Sequence, residues 1–156
     1  DDPLEISLSG NQIKLSFGDI ELISKLVEGK FPDYQRVIPK GHKNTLVVGR
    51  ETLQAALQRA AILTTEKFKG VRFSLSGSKI TIQSTNAEQE EAQEEIETKY
   101  DGEPVEIGFN VTYLLDVLAN IKNNEIQISL GDANSSAIIT LPGSESFKYV
   151  VMPMRI

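Results

Sequence analysis

The stretch that decides the fold runs from residue 105 to residue 130 and reads VEIGFNVTYLLDVLANIKNNEIQISL. Val105 and Ile107 alternate with polar neighbours, which is typical of a strand. Asn110 then stands where a helix N-cap is expected, and apolar residues recur after it at helical spacing, namely Leu114, Leu115, Leu118 and Ile121. Beyond Asn123-Asn124 the period returns to two. The stretch therefore predicts a strand, a helix and a second strand.

The same order of elements occurs twice. Alternating apolar strands continue from this stretch to the C-terminus. A similar unit begins earlier in the chain, at Thr45, with a helical pattern from about Arg50 to Thr65 and alternating strands after it. The two helices start about 60 residues apart, which indicates an internal repeat of strand, helix and three strands. This pattern predicts an α+β fold with helices packed on antiparallel sheets.

The last of the three strands predicted for the first copy lies in residues 87–97, a segment whose pattern is ambiguous. Residues 87–97 contain six glutamates and could form a helix by propensity. Ala92, Ile96 and Tyr100 alternate with charged neighbours, however, which also permits a solvent-facing strand, and we expect the strand. The Asp101-Gly102 pair that follows is typical of a hairpin turn.

The first forty or so residues resemble the end of the repeated unit. Residues 4–17 alternate strictly across a Gly/Asn turn, which predicts a hairpin, and residues 20–27 are a third strand or a short helix. The prolines, glycines and charges of residues 28–44 indicate a boundary. We therefore expect residues 1–44 to be the closing part of an earlier domain plus a linker, and residues 45–156 to be a complete domain.

Composition excludes several function classes. The chain has no cysteine, which excludes disulfides and thiolate metal sites, and no run long enough to span a bilayer. Its one histidine, His42, lies in a Pro/Gly/Lys loop, where a solvated side chain is far more common than a catalytic base. The sequence contains neither a glycine-rich phosphate loop nor a nucleophile motif. We expect no catalytic residue, no metal and no cofactor.

The last eight residues, YVVMPMRI at 149–156, form an unusually apolar chain end. Pro153 cannot donate a ladder hydrogen bond, so the strand that begins at Tyr149 ends there or becomes an edge. Two interpretations stay open. The segment is only a last strand that completes a sheet, or it continues as a tail that forms one wall of an apolar pocket lined by Met152 and Met154.

Two further patterns concern partners. Ile62-Leu63 extends the first helix beyond its core face, either as a helix end tucked under a loop or as an apolar contact with another subunit. The acidic residues of 88–97 could supply complementary charge to such a contact. The net charge of −6 argues against binding of nucleic acid by the whole surface. Basic and polar residues near the helices could still form a mildly positive face for a phosphate backbone: Arg50, Gln54, Gln58, Lys122 and Asn123.

The repeat and the tail together carry a resemblance to the bacterial sliding clamps, the beta subunits of DNA polymerase III. The matching segments run in order along the chain: KLVEGKFPDYQRVIP at 25–39, RAAILTTEKFKGVR at 59–72, NAEQEEA at 86–92, IGFNVTYLLDVL at 107–118 and YVVMPMR at 149–155. The resemblance implies the DNA-clamp fold. It places residues 1–44 at the end of the middle of three similar domains and makes residues 45–156 the C-terminal domain.

The resemblance also implies a mechanism without catalysis. Two three-domain subunits of the family close head to tail into a ring around duplex DNA, with helices towards the hole and sheets outside. The expected role is that of a polymerase processivity factor in the bacterial cytoplasm, associated with the nucleoid and dimeric as the full-length parent. Copies of this chain alone, which lack the first domain, are not expected to form that ring. The resemblance assigns the subunit contact to Ile62 and Leu63, with the charge partners Glu88, Glu90, Glu91 and Glu94.

In the family, polymerases, the clamp loader and repair proteins dock short linear peptides into an apolar pocket between the second and third domains. The resemblance carries this pocket onto Pro32, Arg36, Val37, Ser136, Val150, Val151, Met152, Pro153, Met154 and Arg155, with Asn110 and Tyr113 at its rim. Asn134 stands near the pocket where an apolar residue is expected, and the other wall belongs to an earlier part of the second domain. The rival interpretation is a stand-alone α+β module that binds a peptide or ligand without a role on DNA.

Overall fold

The computed structural model describes residues 3–31, 33–65 and 68–156, and the chain divides into two compact units, residues 1–33 and 34–156. The helices are α1 (Tyr34–Val37), α2 (Arg50–Ala60) and α3 (Val111–Asn120), and a 3-10 turn (Ala61–Leu63) follows α2. The strands are β1 (Glu5–Ser9), β2 (Gln12–Phe17), β3 (Ile20–Lys25), β4 (Asn44–Gly49), β5 (Gly70–Ser76), β6 (Lys79–Thr85), β7 (Glu91–Glu97), β8 (Val105–Asn110), β9 (Glu125–Leu130), β10 (Ala137–Leu141) and β11 (Ser144–Val151).

The first unit is a three-stranded antiparallel sheet in the order β1-β2-β3. The predicted hairpin of residues 4–17 is confirmed. The segment 20–27, which could have been a strand or a short helix, contains the strand β3. Ile6, Leu15 and Leu22 lie opposite one another across the three strands. This places them on one face, on which Ile6 and Leu22 are exposed. The unit therefore presents an apolar sheet face.

The second unit contains two four-stranded antiparallel sheets. The first copy of the repeat is β4, α2 and β5–β7, the second is β8, α3 and β9–β11, and the two copies exchange their opening strands. The orders are β11-β10-β9-β4 for the first sheet and β7-β6-β5-β8 for the second. The opening strand of each copy thus pairs with the strand that follows the helix of the other copy, β4 with β9 and β8 with β5. Neither copy can complete its sheet alone.

Each helix begins directly where the exchanged strand ends. The N–H of Arg50, the first residue of α2, donates to the Asn124 carbonyl oxygen at 2.8 Å, and that of Val111, the first residue of α3, donates to the Lys69 carbonyl oxygen at 2.9 Å. The sheet ladder therefore continues into the first helical residue and satisfies an N–H that a helix end leaves without a partner. Asn110 is the N-cap of α3, as predicted, because its Oδ1 accepts from the Thr112 N–H at 2.9 Å.

The helices pack against each other and against the sheets to form the core. Leu57 of α2 and Leu118 of α3 are fully buried, and burial of each such side chain contributes about 1.5–3 kcal/mol. Phe73 and Phe109 from paired strands meet edge to face, with ring centroids 5.5 Å apart. The buried hydroxyl of Ser84 donates to the Ala60 carbonyl oxygen at 2.7 Å, which satisfies one of the carbonyl groups that the C-terminal end of α2 leaves without a helical partner.

Two local predictions differ from the structure. The helix that was expected to reach Thr65 ends at Ala60 and tightens into the 3-10 turn, where the Thr64 hydroxyl donates to the Ala61 carbonyl oxygen at 2.8 Å. The hairpin expected at Asp101-Gly102 is wrong, because β7 and β8 lie at opposite edges of their sheet. The strand expected within residues 87–97 is confirmed as β7, and the α+β architecture is confirmed.

Candidate functional site

The C-terminal tail is tied to both sheets of the second unit. Val151, opposite Ala137 at the end of β11, is 2% exposed and belongs to the core. Met152, which follows it, is 64% exposed. Two residues later the N–H of Met154 donates to the Gly108 carbonyl oxygen on β8 at 2.8 Å. Tyr149–Val151 therefore completes the first sheet, and Met152 lies on a short bridge that leads from the first sheet to the second.

A closed loop lies beside the start of this bridge. Ser136 immediately precedes the residue that pairs with Val151, and its carbonyl oxygen accepts from His42 Nε2 at 2.8 Å. The Asp132 carboxylate accepts from the Asn134 N–H and from the Ser135 hydroxyl, both at 2.9 Å. These two bonds hold the pKa of Asp132 below its usual value, first through Asn134 and then through Ser135. The loop is thus fixed by its own hydrogen bonds next to the exposed methionine.

The other residues predicted for docking occupy several elements. Arg36 and Val37 lie on α1 and are exposed, and Tyr113 is exposed on α3. Val150 is half-buried on β11, opposite Ile138. Val150 and Val151 pair with β10 next to Ser136, whereas Met154 lies on β8 of the second sheet. Pro153 and Met154 are half-buried and Arg155 is exposed. Pro32 lies outside the described residues.

The 3-10 turn after α2 presents an apolar surface. Ile62 is 78% exposed, so its side chain is not tucked under a loop. Leu63 lines a hollow of about 530 Å³ together with Phe68, Ala87 and the C-terminal residue, Ile156. Exposed apolar side chains grouped in this way are typical of a protein contact surface.

The predicted acidic partners differ in their surroundings. Glu88, Glu90 and Glu91 are exposed, and Glu90 Oε2 accepts from the Asn86 side-chain amide at 2.6 Å. Glu94 instead pairs with Arg59 of α2 through two hydrogen bonds, at 2.9 Å from Nε and 2.6 Å from Nη2. This side-chain pairing lowers the pKa of Glu94 and raises the pKa of Arg59. Glu94 therefore already has a cationic partner within the chain.

Three of the five residues predicted to face DNA lie together at the start of α2. Arg50 Nε donates to the Asn123 carbonyl oxygen and Nη1 donates to Gln54 Oε1, both at 3.1 Å. Its Nη2 donates to Glu51 Oε1 at 2.8 Å, so a carboxylate offsets part of the positive charge. Gln58 on the same helix and Lys122 after α3 are exposed. The result is a polar surface with little net charge.

Neither a metal centre nor a membrane span is found in the described part of the chain. Among residues 3–31, 33–65 and 68–156, no three acidic or histidine side chains are grouped as metal ligands would be. The helices within the same ranges are too short or too polar to cross a bilayer.

Comparison with known proteins identifies the family. The family model described as the DNA polymerase III beta subunit, C-terminal domain, matches residues 35–155. The chain belongs to this beta subunit family. The predicted resemblance and the DNA-clamp fold are thereby confirmed, and the matched range covers both helix-containing copies of the repeat together with the tail.

Relatives of the beta subunit family match almost the entire chain. The beta sliding clamp of Pseudomonas putida is 46% identical over 153 residues, which are 98% of this chain and 42% of that protein. The solved DNA polymerase III subunit beta of Pseudomonas aeruginosa gives a TM-score of 0.87 at 46% identity and covers 100% of this chain, or 43% of its own. A Pseudomonas aeruginosa clamp solved bound to griselimycin gives a TM-score of 0.83 at the same identity and coverage of this chain. The chain thus spans less than half the length of these proteins.

Sequence reasoning missed several residues that the beta subunit fold brings to the tail. His42 is half-buried and bonded to Ser136, a structural contact that its position in a Pro/Gly/Lys loop did not indicate. Gly108 and Gly70 lie under the end of the tail. A glycine inside an otherwise alternating strand is a sign that another backbone approaches closely, and this sign was present at Gly108.

The Arg59–Glu94 pair predicts a specific change in titration. Because the pKa of Glu94 is lowered in the folded protein, the pair stabilises at neutral pH, and this stabilisation is lost as the pH falls through that lowered pKa. Replacing the cation in Arg59→Gln should raise the pKa of Glu94 towards its ordinary value, as measured by carboxyl carbon NMR. Lys79→Gln, which removes the partner of Glu95, is the matched control and should leave Glu94 unchanged. An unaltered Glu94 titration in Arg59→Gln would contradict the pairing.

Proposed function

We propose that this chain acts as part of a sliding clamp, a processivity factor that encircles duplex DNA and carries docking sites for replication and repair proteins. The observation that supports this most directly is the match of almost the entire chain, in sequence and in fold, to beta sliding clamps. The proposed role is mechanical rather than enzymatic, since a closed ring tethers a polymerase by topology. Such a protein works in the bacterial cytoplasm, on the nucleoid.

The proposal assigns residues 1–44 to the end of the middle clamp domain plus a linker and residues 45–156 to the C-terminal domain. The order β1-β2-β3 in the first unit parallels β9-β10-β11 in the second, where α3 precedes the same three-strand pattern. The apolar face of β1–β3 fits a sheet that packs under helices of its own domain. On this assignment the linker approaches the C-terminal domain at His42, which bonds to Ser136.

The proposed DNA contact is weak and does not read sequence. Arg50, Gln54 and Asn123 are linked by hydrogen bonds on one surface, to which Gln58 and Lys122 add polar and basic groups. Contacts of this kind with phosphates position a duplex without selecting bases. A surface whose arginine is already partly neutralised by Glu51 suits a protein that slides rather than grips.

The proposed docking surface for short linear peptides is centred on the tail. Met152 is the exposed apolar group there, and the hydrogen-bonded loop of Ser136 forms its fixed border. A flexible methionine beside a rigid loop suits an apolar peptide side chain. The proposal keeps the full predicted set of docking residues, of which Pro32 lies outside the described residues: Pro32, Arg36, Val37, Asn110, Tyr113, Ser136, Val150, Val151, Met152, Pro153, Met154 and Arg155. The partners that would use this surface are polymerases, the clamp loader and repair proteins.

Removal of the tail tests the docking surface. In the full-length protein, deletion of Met152–Ile156 should weaken binding of griselimycin by about 100-fold or more, because the exposed methionine and its bridge are lost together. Titration calorimetry with griselimycin as the probe measures this. The fold should survive, since Val151 remains in the sheet. Gln58→Ser, on the exposed surface of α2, is a control that should bind normally, and unchanged affinity after the deletion would refute the assignment.

The proposed subunit contact joins the apolar surface of the 3-10 turn after α2 to the first domain of a second full-length protein. Ile62 supplies the exposed apolar anchor and Leu63 borders the adjacent hollow. The proposal assigns charge partners to Glu88, Glu90, Glu91 and Glu94. Glu88, Glu90 and Glu91 are exposed, whereas Glu94 would have to share or leave Arg59. Closure of this contact in two places would complete a homodimeric ring.

Polar substitution tests the subunit contact. Ile62→Ser combined with Leu63→Ser in the full-length protein should raise the dimer dissociation constant by about tenfold or more, because buried apolar anchors dominate such interfaces. Sedimentation velocity over a range of concentrations measures the change. Gln58→Ser together with Lys122→Ser is the matched control outside the contact. A sedimentation profile identical to that of the unmodified protein would refute the assignment.

A further inference from the structure

Two glycines form a side-chain-free strip on the outer face of the second sheet. Gly108 lies opposite Arg72 and Gly70 lies opposite Asn110 on the paired strands β8 and β5. Because side chains alternate along a strand, all four residues share one face. The opposite face carries the core, which includes Phe73 and others. The strip is therefore on the surface that faces away from the helices.

The end of the tail lies on this strip. A Cβ atom at Gly108 would overlap the Met154 carbonyl oxygen and would lie 2.6 Å from Cδ1 of Ile156. A Cβ atom at Gly70 would lie 3.3 Å from both Cδ1 and Cγ1 of Ile156. Real Cβ contacts are essentially never under 3.0 Å, so any side chain at Gly108 would displace the tail backbone. At Gly70 the three nearest atoms belong to the flexible Ile156 side chain, which would have to move by a few tenths of an ångström.

The backbone itself does not require glycine at either position. The glycines with positive φ among the described residues are Gly10, Gly18, Gly29, Gly41, Gly77 and Gly143. Gly70 and Gly108 have ordinary strand conformations, which any residue can adopt. What they provide is room, which is the usual reason for glycine inside a strand against which another backbone lies.

The strip determines where the tail is anchored. Val151 is fixed in the first sheet by its pairing with Ala137, and Met154 is fixed on the second sheet by its bond to Gly108. Only Met152 and Pro153 span the gap, and the ring of Pro153 restricts its own φ. With both ends held, the exposed Met152 side chain has a limited range of positions. Loss of the second anchor would leave the last five residues attached at one end only.

We propose that Gly70 and Gly108 are positioning residues of the peptide-docking surface, because they hold Met154–Ile156 and so set the pose of Met152. This proposal rests on the docking role proposed above for the tail. A tail that is already ordered loses less conformational entropy when a peptide binds, so the strip raises affinity without touching the peptide.

Substitution of Gly108 tests the proposal directly. Gly108→Ala in the full-length protein should increase the griselimycin dissociation constant by about tenfold and should speed hydrogen exchange at the Met154 amide. Ser74→Ala changes one small side chain elsewhere on the same strand face and should alter neither quantity. Unchanged griselimycin affinity together with unchanged Met154 exchange in Gly108→Ala would overturn the proposal.

Gly70 supplies a second and milder test. Gly70→Ala should weaken griselimycin binding by a smaller factor, and Ile156→Ala in the same protein should relieve that effect, because the three nearest atoms all belong to the Ile156 side chain. The effect of Gly108→Ala should persist in the Ile156→Ala background, since the Met154 carbonyl oxygen remains in place. Equal relief at both glycines, or relief at neither, would overturn the proposal.

The two readouts separate this proposal from the docking role. Failure of the unmodified protein to bind griselimycin would contradict the docking role. Hydrogen exchange at the Met154 amide would then test separately whether the glycine strip holds the tail. Faster exchange in Gly108→Ala would support this anchoring, and equal exchange would overturn it.

Discussion

The exchange of opening strands between the two copies of the repeat is the constraint on which the rest of the second unit depends. β4 completes the sheet of the second copy and β8 completes the sheet of the first. Each exchanged strand runs straight into a helix, and the N–H groups of Arg50 and Val111 bond to carbonyl oxygens next to the partner strands β9 and β5, so each helix start is anchored to the sheet that its own opening strand completes. The two copies must therefore fold together, and their helices share one core.

This arrangement also explains where the proposed DNA-facing and docking surfaces lie. The helices pack their apolar faces into the core, so polar groups such as Arg50 and Gln54 remain at the surface that we propose to face DNA. The last strand, β11, lies at the edge of the first sheet, and β8 lies at the edge of the second. A short tail can bridge these two edges only where the second sheet leaves room for it, and Gly108 leaves that room.

Local patterns in the sequence predicted what local interactions determine. The cap at Asn110, the helical period after it and the alternation of Ala92 with Ile96 are set by neighbours a few residues away, and these predictions are confirmed. Pairing between strands that are far apart in the sequence could not be predicted from such local patterns. Asp101-Gly102 resembles a hairpin turn, yet β8 pairs with β5 because the copies exchange strands. The contact of His42 with Ser136 joins residues 94 apart, for which a single sequence gives no local sign. The roles of the docking and contact residues stay predictions.

The measurement that tests the account most directly is retention on DNA of different topology. Full-length protein loaded on a nicked circular plasmid should stay bound through gel filtration and should be lost once the plasmid is cut, because a ring leaves DNA by sliding off an end. Linear DNA with both ends blocked by bulky complexes is the control, and it should retain the protein. Equal loss from circular, cut and end-blocked DNA would contradict a sliding clamp and would favour a module without a topological hold on DNA.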